Sequence, residues 1–288
     1  MTDSHARIRA HYARATAPFE TFWAPVLDEL TRPLLREMAI TAGMRALEIG
    51  CGVGVLCGRL AAAVGPGGLV VGGDLVPEML ARTRARLPGL PLIRLDAARL
   101  PLRDNAFDAI FCAFALHHVR EQRRALADAF RSLAPGGLFG LVTWSDHEAD
   151  CPAFDAWEEL LGAFGAPPDD PAPPPVWLDG IDTPEKVERL LAESGFDEIR
   201  AWREACLHAW TAGTLAGYKS GIGPSRRRLD TLPAERQTAL QARAAERLAG
   251  LRPEDFIWRP EVICAVARRQ AGAKKCATSS RASWKSEW

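Results

Sequence analysis

The stretch Ala46 to Leu56, ALEIGCGVGVL, constrains this chain more than any other. An apolar, β-prone run ends in an acid, turns on Gly50, Gly52 and Gly54, and continues as a helix-forming segment. Glycine lets the backbone turn tightly there and lets a ligand approach without meeting a Cβ. The spacing is not that of a dinucleotide loop. G-x-G-x-x-G would need its last glycine at Val55, or at Cys57 if counted from Gly52. Glu48 agrees, since a carboxylate beside a diphosphate is repulsive, whereas it suits a ligand carrying an ammonium group.

The same alternation extends on both sides. β-rich apolar runs at 44–49, 69–74, 92–96, 107–114 and 137–144 alternate with helical patterns at 55–64, 77–87 and 120–133, the last stopped by Pro135-Gly136-Gly137. Continuous apolar strands separated by helices predict an α/β fold with a parallel sheet covered on both faces. A helical segment at about 18–40 precedes the first strand. The second half reads as a helix at 149–165, a Pro-rich connector at 167–175 and a helix opened by Thr183-Pro184-Glu185 and stopped at Gly195. Strands follow at 196–210 and 261–267, with a mostly helical insertion at 211–260 between them. The expected organisation is an N-terminal helical segment (1–41), an α/β core (42–144), remaining core strands with helical cap insertions (145–270) and a disordered tail (271–288).

Two further acids fall in register with the glycine turn. Asp74 closes the second strand, twenty-four residues past Gly50, where a carboxylate can accept both hydroxyls of a ribose. Asp96-Ala97 closes the third, where the acid could accept an adenine amino group; a strand-end Asp is also a common helix cap. In open α/β sheets the ligand crevice lies at those carboxyl ends.

Charge and composition exclude other classes. Lys and Arg total 36 against 36 Asp and Glu, so a protein devoted to gripping nucleic acid is disfavoured. The longest uncharged stretches, such as 60–73 and 132–145, are too short to span a bilayer, and no export signal is expected from the N-terminal residues. The seven cysteines are scattered without a C-x-x-C pair, which reads as reduced thiols in a cytoplasmic protein with no metal site.

Taken in order, Glu48-Ile49-Gly50-Cys51-Gly52-Val53-Gly54, Gly73-Asp74, Asp96-Ala97, Leu100-Pro101-Leu102 with Asn105-Ala106-Phe107-Asp108, Ala115-Leu116-His117-His118-Val119 and Leu133-Ala134-Pro135-Gly136-Gly137 resemble the class I S-adenosylmethionine-dependent methyltransferases, nearest to the small-molecule group of ubiquinone and menaquinone biosynthesis. The resemblance covers 42–144 strongly and the later strands weakly. It implies a Rossmann-like, seven-stranded, mostly parallel sheet whose last strand, 261–267, is antiparallel. It also implies S-adenosylmethionine as cofactor and S-adenosylhomocysteine as product. Gly50, Gly52 and Gly54, with Cys51 among them, would face the methionine portion and Glu48 its amino group. Asp74 would hold the ribose, Leu75 pack on the adenine, Asp96 and Ala97 read its edge, and Ala113 offer backbone near the amino group. Tyr12 lies in the segment that in such enzymes often folds over the cofactor.

The chemistry then needs an aligned acceptor and a dry site more than a protein nucleophile. His117 and His118 are the candidate general bases, with packing or hydrogen bonding as the other reading; Asp146 and His147 read as solvated loop, as does Arg226-Arg227-Arg228. Six of the nine tryptophans fall between 144 and 258, where the insertions lie, so an aromatic-lined pocket for a small hydrophobic or aromatic acceptor is expected. A protein acceptor and a non-catalytic scaffold of the same fold stay open, and the expected assembly is a monomer or homodimer.

Overall fold

The computed structural model describes residues 3–147, 149–168 and 176–270. Seven strands form the sheet: β1 (Arg45–Ile49), β2 (Leu69–Asp74), β3 (Leu92–Arg94), β4 (Phe107–Ala113), β5 (Leu133–Trp144), β6 (Asp197–Ala205) and β9 (Glu261–Arg268), in the order β3-β2-β1-β4-β5-β9-β6. Neighbours from β3 to β5 run parallel; β9 is inserted antiparallel between β5 and β6. The strand order reverses between β1 and β4, so a crevice opens at their carboxyl ends, where ligands of such sheets bind.

Both faces of the sheet are covered because successive side chains of a strand point oppositely. In β4, Ala109 and Phe111 join one apolar core with α2 (Ala24–Glu37) and α3 (Val55–Val64), including Leu30, Leu34, Leu56 and Leu60. Ile110 and Cys112 join the other with α5 (Gln122–Ser132) and α7 (Pro184–Glu193), including Leu126, Ala129, Val187 and Leu191. The Thr183 hydroxyl caps α7 by accepting the Lys186 N–H, as the Thr-Pro-Glu sequence predicts.

Three features depart from the sequence reading. The Pro135-Gly136-Gly137 breaker lies inside β5: between the pairs Phe107–Leu133 and Ala109–Leu138 the chain of β5 takes extra residues, a bulge that Gly136 allows with φ of +80°. The expected strand at 196–210 is two: β6 ends at Ala205, and β7 (His208–Ala209) pairs instead with β8 (Ile257–Trp258), outside the main sheet. Arg226-Arg227-Arg228 is helical, on α9 (Gly223–Asp230), and Arg228 is drawn inward by Glu158 rather than solvated.

Helices beside the crevice come from both ends of the chain. α1 (Asp3–Pro18), a π-helical turn (Phe19–Trp23) and α2 precede the sheet; α6 (Pro152–Ala163), α8 (Ala212–Gly221), α9 and α10 (Ala234–Ala249) follow it. Glu158 on α6 ties α8 and α9 to it, accepting from Lys219 Nζ at 3.0 Å, Ser225 Oγ at 2.6 Å and Arg228 at 2.6 Å. No helix of the described residues is long and apolar enough to cross a membrane. The 271–288 tail and most of the 167–175 connector lie outside the described residues.

Candidate active site

The glycine turn is built by backbone geometry and held by one carboxylate. Gly50 has φ of +77°, and a Cβ there would stand 2.4 Å from that of Ala115, so the cradle is open because the residue has no side chain. The N–H groups of Gly50 and Cys51 both donate to the Gly73 carbonyl, at 2.8 and 3.0 Å. Asp74 completes the turn: Oδ2 accepts the Gly52 N–H and Oδ1 the Val76 N–H, each at 2.8 Å. Burial pushes its pKa up, opposed by those N–H groups.

Gly54 serves the turn differently. It is the left-handed N-cap of α3, with φ of +79°, and an added Cβ would lie 2.5 Å from Thr83 Cγ2. Thr83 is fully buried and donates to the Gly52 carbonyl at 2.7 Å. Gly54→Ala is therefore expected to cost about 2–4 kcal/mol, from the left-handed backbone and the displaced Thr83. Urea denaturation would show it, and a midpoint equal to wild type would contradict the geometry.

Glu48 sits under the turn. It is 4% exposed, and its Oε2 has no partner among the described residues. Burial raises its pKa to about 8; a Cys57 thiol hydrogen bond works against this, and the neighbouring Asp74 adds to it. An orphaned, buried carboxylate oxygen beside an open backbone cradle is a receptor for a positively charged donor.

Around the turn lies a cleft with a cavity volume of about 150 Å³. Asp74, Leu75, Asp96 and Ala97 line it, together with Phe114, His117 and Trp144. A lobe of about 50 Å³ adjoins it, reaching Glu48 and Cys51 and sharing Gly50, Gly52, Ala113 and Phe114 with the main cleft. Asp96 Oδ1 accepts the Ala98 N–H at 2.9 Å, and its other oxygen lies 3.4 Å from His5 Nδ1 of α1. Across the mouth, the Tyr12 hydroxyl and His118 Nε2 share a hydrogen bond of 2.8 Å. Tyr12 is held as a neutral phenol by burial, then by the charge of Asp74. His117 is 5% exposed, its ring lies 4.2 Å from that of His118, and its Nδ1 has no partner among the described residues. Burial, then His118, holds it well below its ordinary pKa, so the imidazole is neutral.

Comparisons with known proteins agree with this architecture. Residues 47–141 match the family model described as a methyltransferase domain. Demethylmenaquinone methyltransferase of Staphylococcus aureus is 29% identical over 201 residues, covering 65% of this chain and 80% of that one. These matches support a class I S-adenosylmethionine-dependent methyltransferase.

An uncharacterised 37.1 kDa protein of a Streptomyces fradiae transposon is 39% identical to the methyltransferase over 115 residues; the match spans 38% of this chain and 33% of that relative's length. Among solved structures, Haemonchus contortus phosphoethanolamine N-methyltransferase 2, in complex with phosphomonomethylethanolamine and S-adenosylhomocysteine, superposes with a TM-score of 0.55 at 16% identity. That superposition covers 94% of this chain and 61% of the other and speaks to the fold.

The cofactor of the methyltransferase is S-adenosylmethionine, and the cradle fits it: an ammonium would meet the free Glu48 oxygen where the glycine backbone is bare. Of the residues the sequence singled out, Tyr12, Glu48, Gly50, Cys51, Gly52, Asp74, Leu75, Asp96, Ala97, Ala113, His117 and His118 come together around the two lobes. Gly54 lines neither. Asp146 ion-pairs with Arg203 at 2.7 Å, away from the cleft lining.

Sequence reasoning missed the apolar half of the lining: Phe19, Trp23 and Leu27 from the N-terminal helices, and Phe114. Phe114 is the most telling. It follows β4 with φ of +51°, a left-handed conformation that costs a β-carbon residue on the order of 1–3 kcal/mol. That turn lays its ring 4.5 Å from Trp144 and into both lobes.

Proposed function

We propose that the chain transfers a methyl group from S-adenosylmethionine to a small, neutral, hydrophobic or aromatic acceptor in the reducing cytoplasm. The lining of the cleft carries this reading. Beyond the glycine turn and its acids the walls include Phe19, Trp23, Leu27, Phe114 and Trp144 beside Tyr12, His5, His117 and His118, and neither lobe is lined by a lysine or arginine. An anionic acceptor such as a phosphate ester would enter without a lysine or arginine to pair it, at a heavy desolvation cost. The demethylmenaquinone enzyme is the relative whose name fits such walls.

In this reading Glu48 takes the amino group of the cofactor, Asp74 the ribose and Asp96 with Ala97 the adenine edge. Bound there, the cofactor supplies an electrophilic methyl on sulfur, so the chain's own groups have only to orient the acceptor, exclude water and remove a proton. Phe114 and Trp144 present a flat apolar surface for orientation. His117 is the proton acceptor, neutral and with a nitrogen free; His118 instead anchors Tyr12, and with it α1, over the mouth.

The test is transfer of tritium from methyl-labelled S-adenosylmethionine to neutral hydroxyarenes, alongside calorimetry with S-adenosylhomocysteine. Labelling of arenes and not of phosphoethanolamine is expected. Binding with no labelled small molecule would turn the reading towards a protein acceptor or a scaffold. His117→Gln should keep the product affinity while lowering kcat at least about a hundredfold; an unchanged kcat would remove His117 from the chemistry.

A further inference from the structure

Trp23, in the wall of the cleft, packs into a box of aromatic rings of which Trp144 alone also lines the cleft. Trp144 at the end of β5, Trp210 before α8, Tyr218 on α8 and Trp258 on β8 surround the Trp23 indole, with centroids 6.0, 6.5, 4.7 and 6.0 Å away. Trp23 lies within 13° of the plane of Tyr218 and within 9° of that of Trp210, as a stacked guest would. Phe154 on α6 closes the far side, 5.9 Å from Trp210 and 5.8 Å from Trp258. Trp210 is buried, yet its indole N–H has no partner among the described residues, an unmet donor inside the box.

Trp23 is only half-buried and is the last residue of the π-helical turn. Single π turns are rare and recur at functional sites, because they rotate a side chain away from where an α-helix would put it. Trp23 and Trp144 both line the cofactor cleft, so Trp23 stands between that cleft and the inner rings. The charge around the box selects against a cation. The Lys219 ammonium already lies 4.2 Å over Phe154, a second positive guest would be repelled, and cation–π attraction is spent on a resident group.

We propose that the box formed by Trp144, Trp210, Tyr218 and Trp258 is a binding site for the far ring of a neutral, planar, multi-ring acceptor, and that Trp23 is the residue that sets how far into it an acceptor reaches. This deepens the proposed function and rests on it for the word acceptor alone; the ring site is tested by binding, without turnover.

N-phenyl-1-naphthylamine, a neutral two-part arene whose fluorescence rises in apolar sites, is titrated into the full chain. Trp23→Ala should bind it at least tenfold more tightly than wild type, Trp23→Leu should fall between, and adding Trp258→Ala to Trp23→Ala should abolish the gain. If Trp23→Ala does not fold, Trp23→Leu decides alone. A folded Trp23 variant that takes no more dye than wild type, or a gain that survives Trp258→Ala, would overturn the proposal. Calorimetry of wild type with S-adenosylhomocysteine tests the cofactor reading separately, so failure of one is not mistaken for failure of the other.

Discussion

Asp74→Ala is expected to lower the affinity for S-adenosylhomocysteine roughly a thousandfold, about 4 kcal/mol. Asp74 does two things through one carboxylate. It is placed to accept ribose hydroxyls, and it already accepts the Gly52 and Val76 N–H groups at 2.8 Å, fixing the turn before any ligand arrives. Hydrogen bonds to a charged acceptor are worth about 1.5–3 kcal/mol each, and the donors left behind are buried and unsatisfied. The loss therefore falls on the shape of the cradle as well as on direct contact. Asp74→Asn should recover only part of it, because an amide offers one oxygen and turns an N–H against one of the two donors. Calorimetric titration checks this; an Asp74→Ala protein that binds within tenfold of wild type would show that the turn stands without its carboxylate.

The features legible in the sequence were those whose chemistry is local. Gly50 and Asp74 could be read because a bare turn and a strand-end acid have the same consequences in any parallel sheet. The antiparallel place of β9 followed from family resemblance, not from pattern. What could not be read depends on how distant segments meet. Phe114 enters the cleft only because a left-handed backbone turns it there, and a phenylalanine gives no local sign of that conformation. Trp23 reaches the cleft through a π turn, whose spacing no 3.6-residue periodicity reveals. His5 and Tyr12 meet Asp96 and His118 across about a hundred residues of chain, by packing of α1 rather than by any motif. Pro135-Gly136-Gly137 misled because a breaker in isolation is also what a bulge needs.

Glu48→Gln should make the ligand-free chain more stable above neutral pH while weakening its hold on the cofactor. The folded chain raises the Glu48 pKa from 4.5 to about 8, with burial the leading cause. Between those values the folded state keeps a proton that the unfolded state has released. This stabilisation is fully present below pH 4.5 and is lost as pH rises through 8. At about 1.4 kcal/mol per unit, the penalty by pH 9 is on the order of 3–5 kcal/mol, and glutamine, neutral throughout, does not incur it. Denaturation midpoints of wild type and variant should therefore nearly coincide at pH 4.5, separate as pH rises towards 8 and stay apart by a constant margin above it, the variant higher. Ligand binding should invert the ranking. An ammonium beside Glu48 favours the carboxylate, so wild type should release a proton on binding S-adenosylhomocysteine at pH 7 and bind more tightly as pH rises towards 8. Calorimetry in buffers of different ionisation enthalpy measures that proton, and the glutamine variant should release none and bind at least tenfold more weakly. Equal proton release by both proteins would place the cofactor's amino group away from Glu48, whereas parallel pH–stability curves would show that its carboxyl is already ionised in the ligand-free fold.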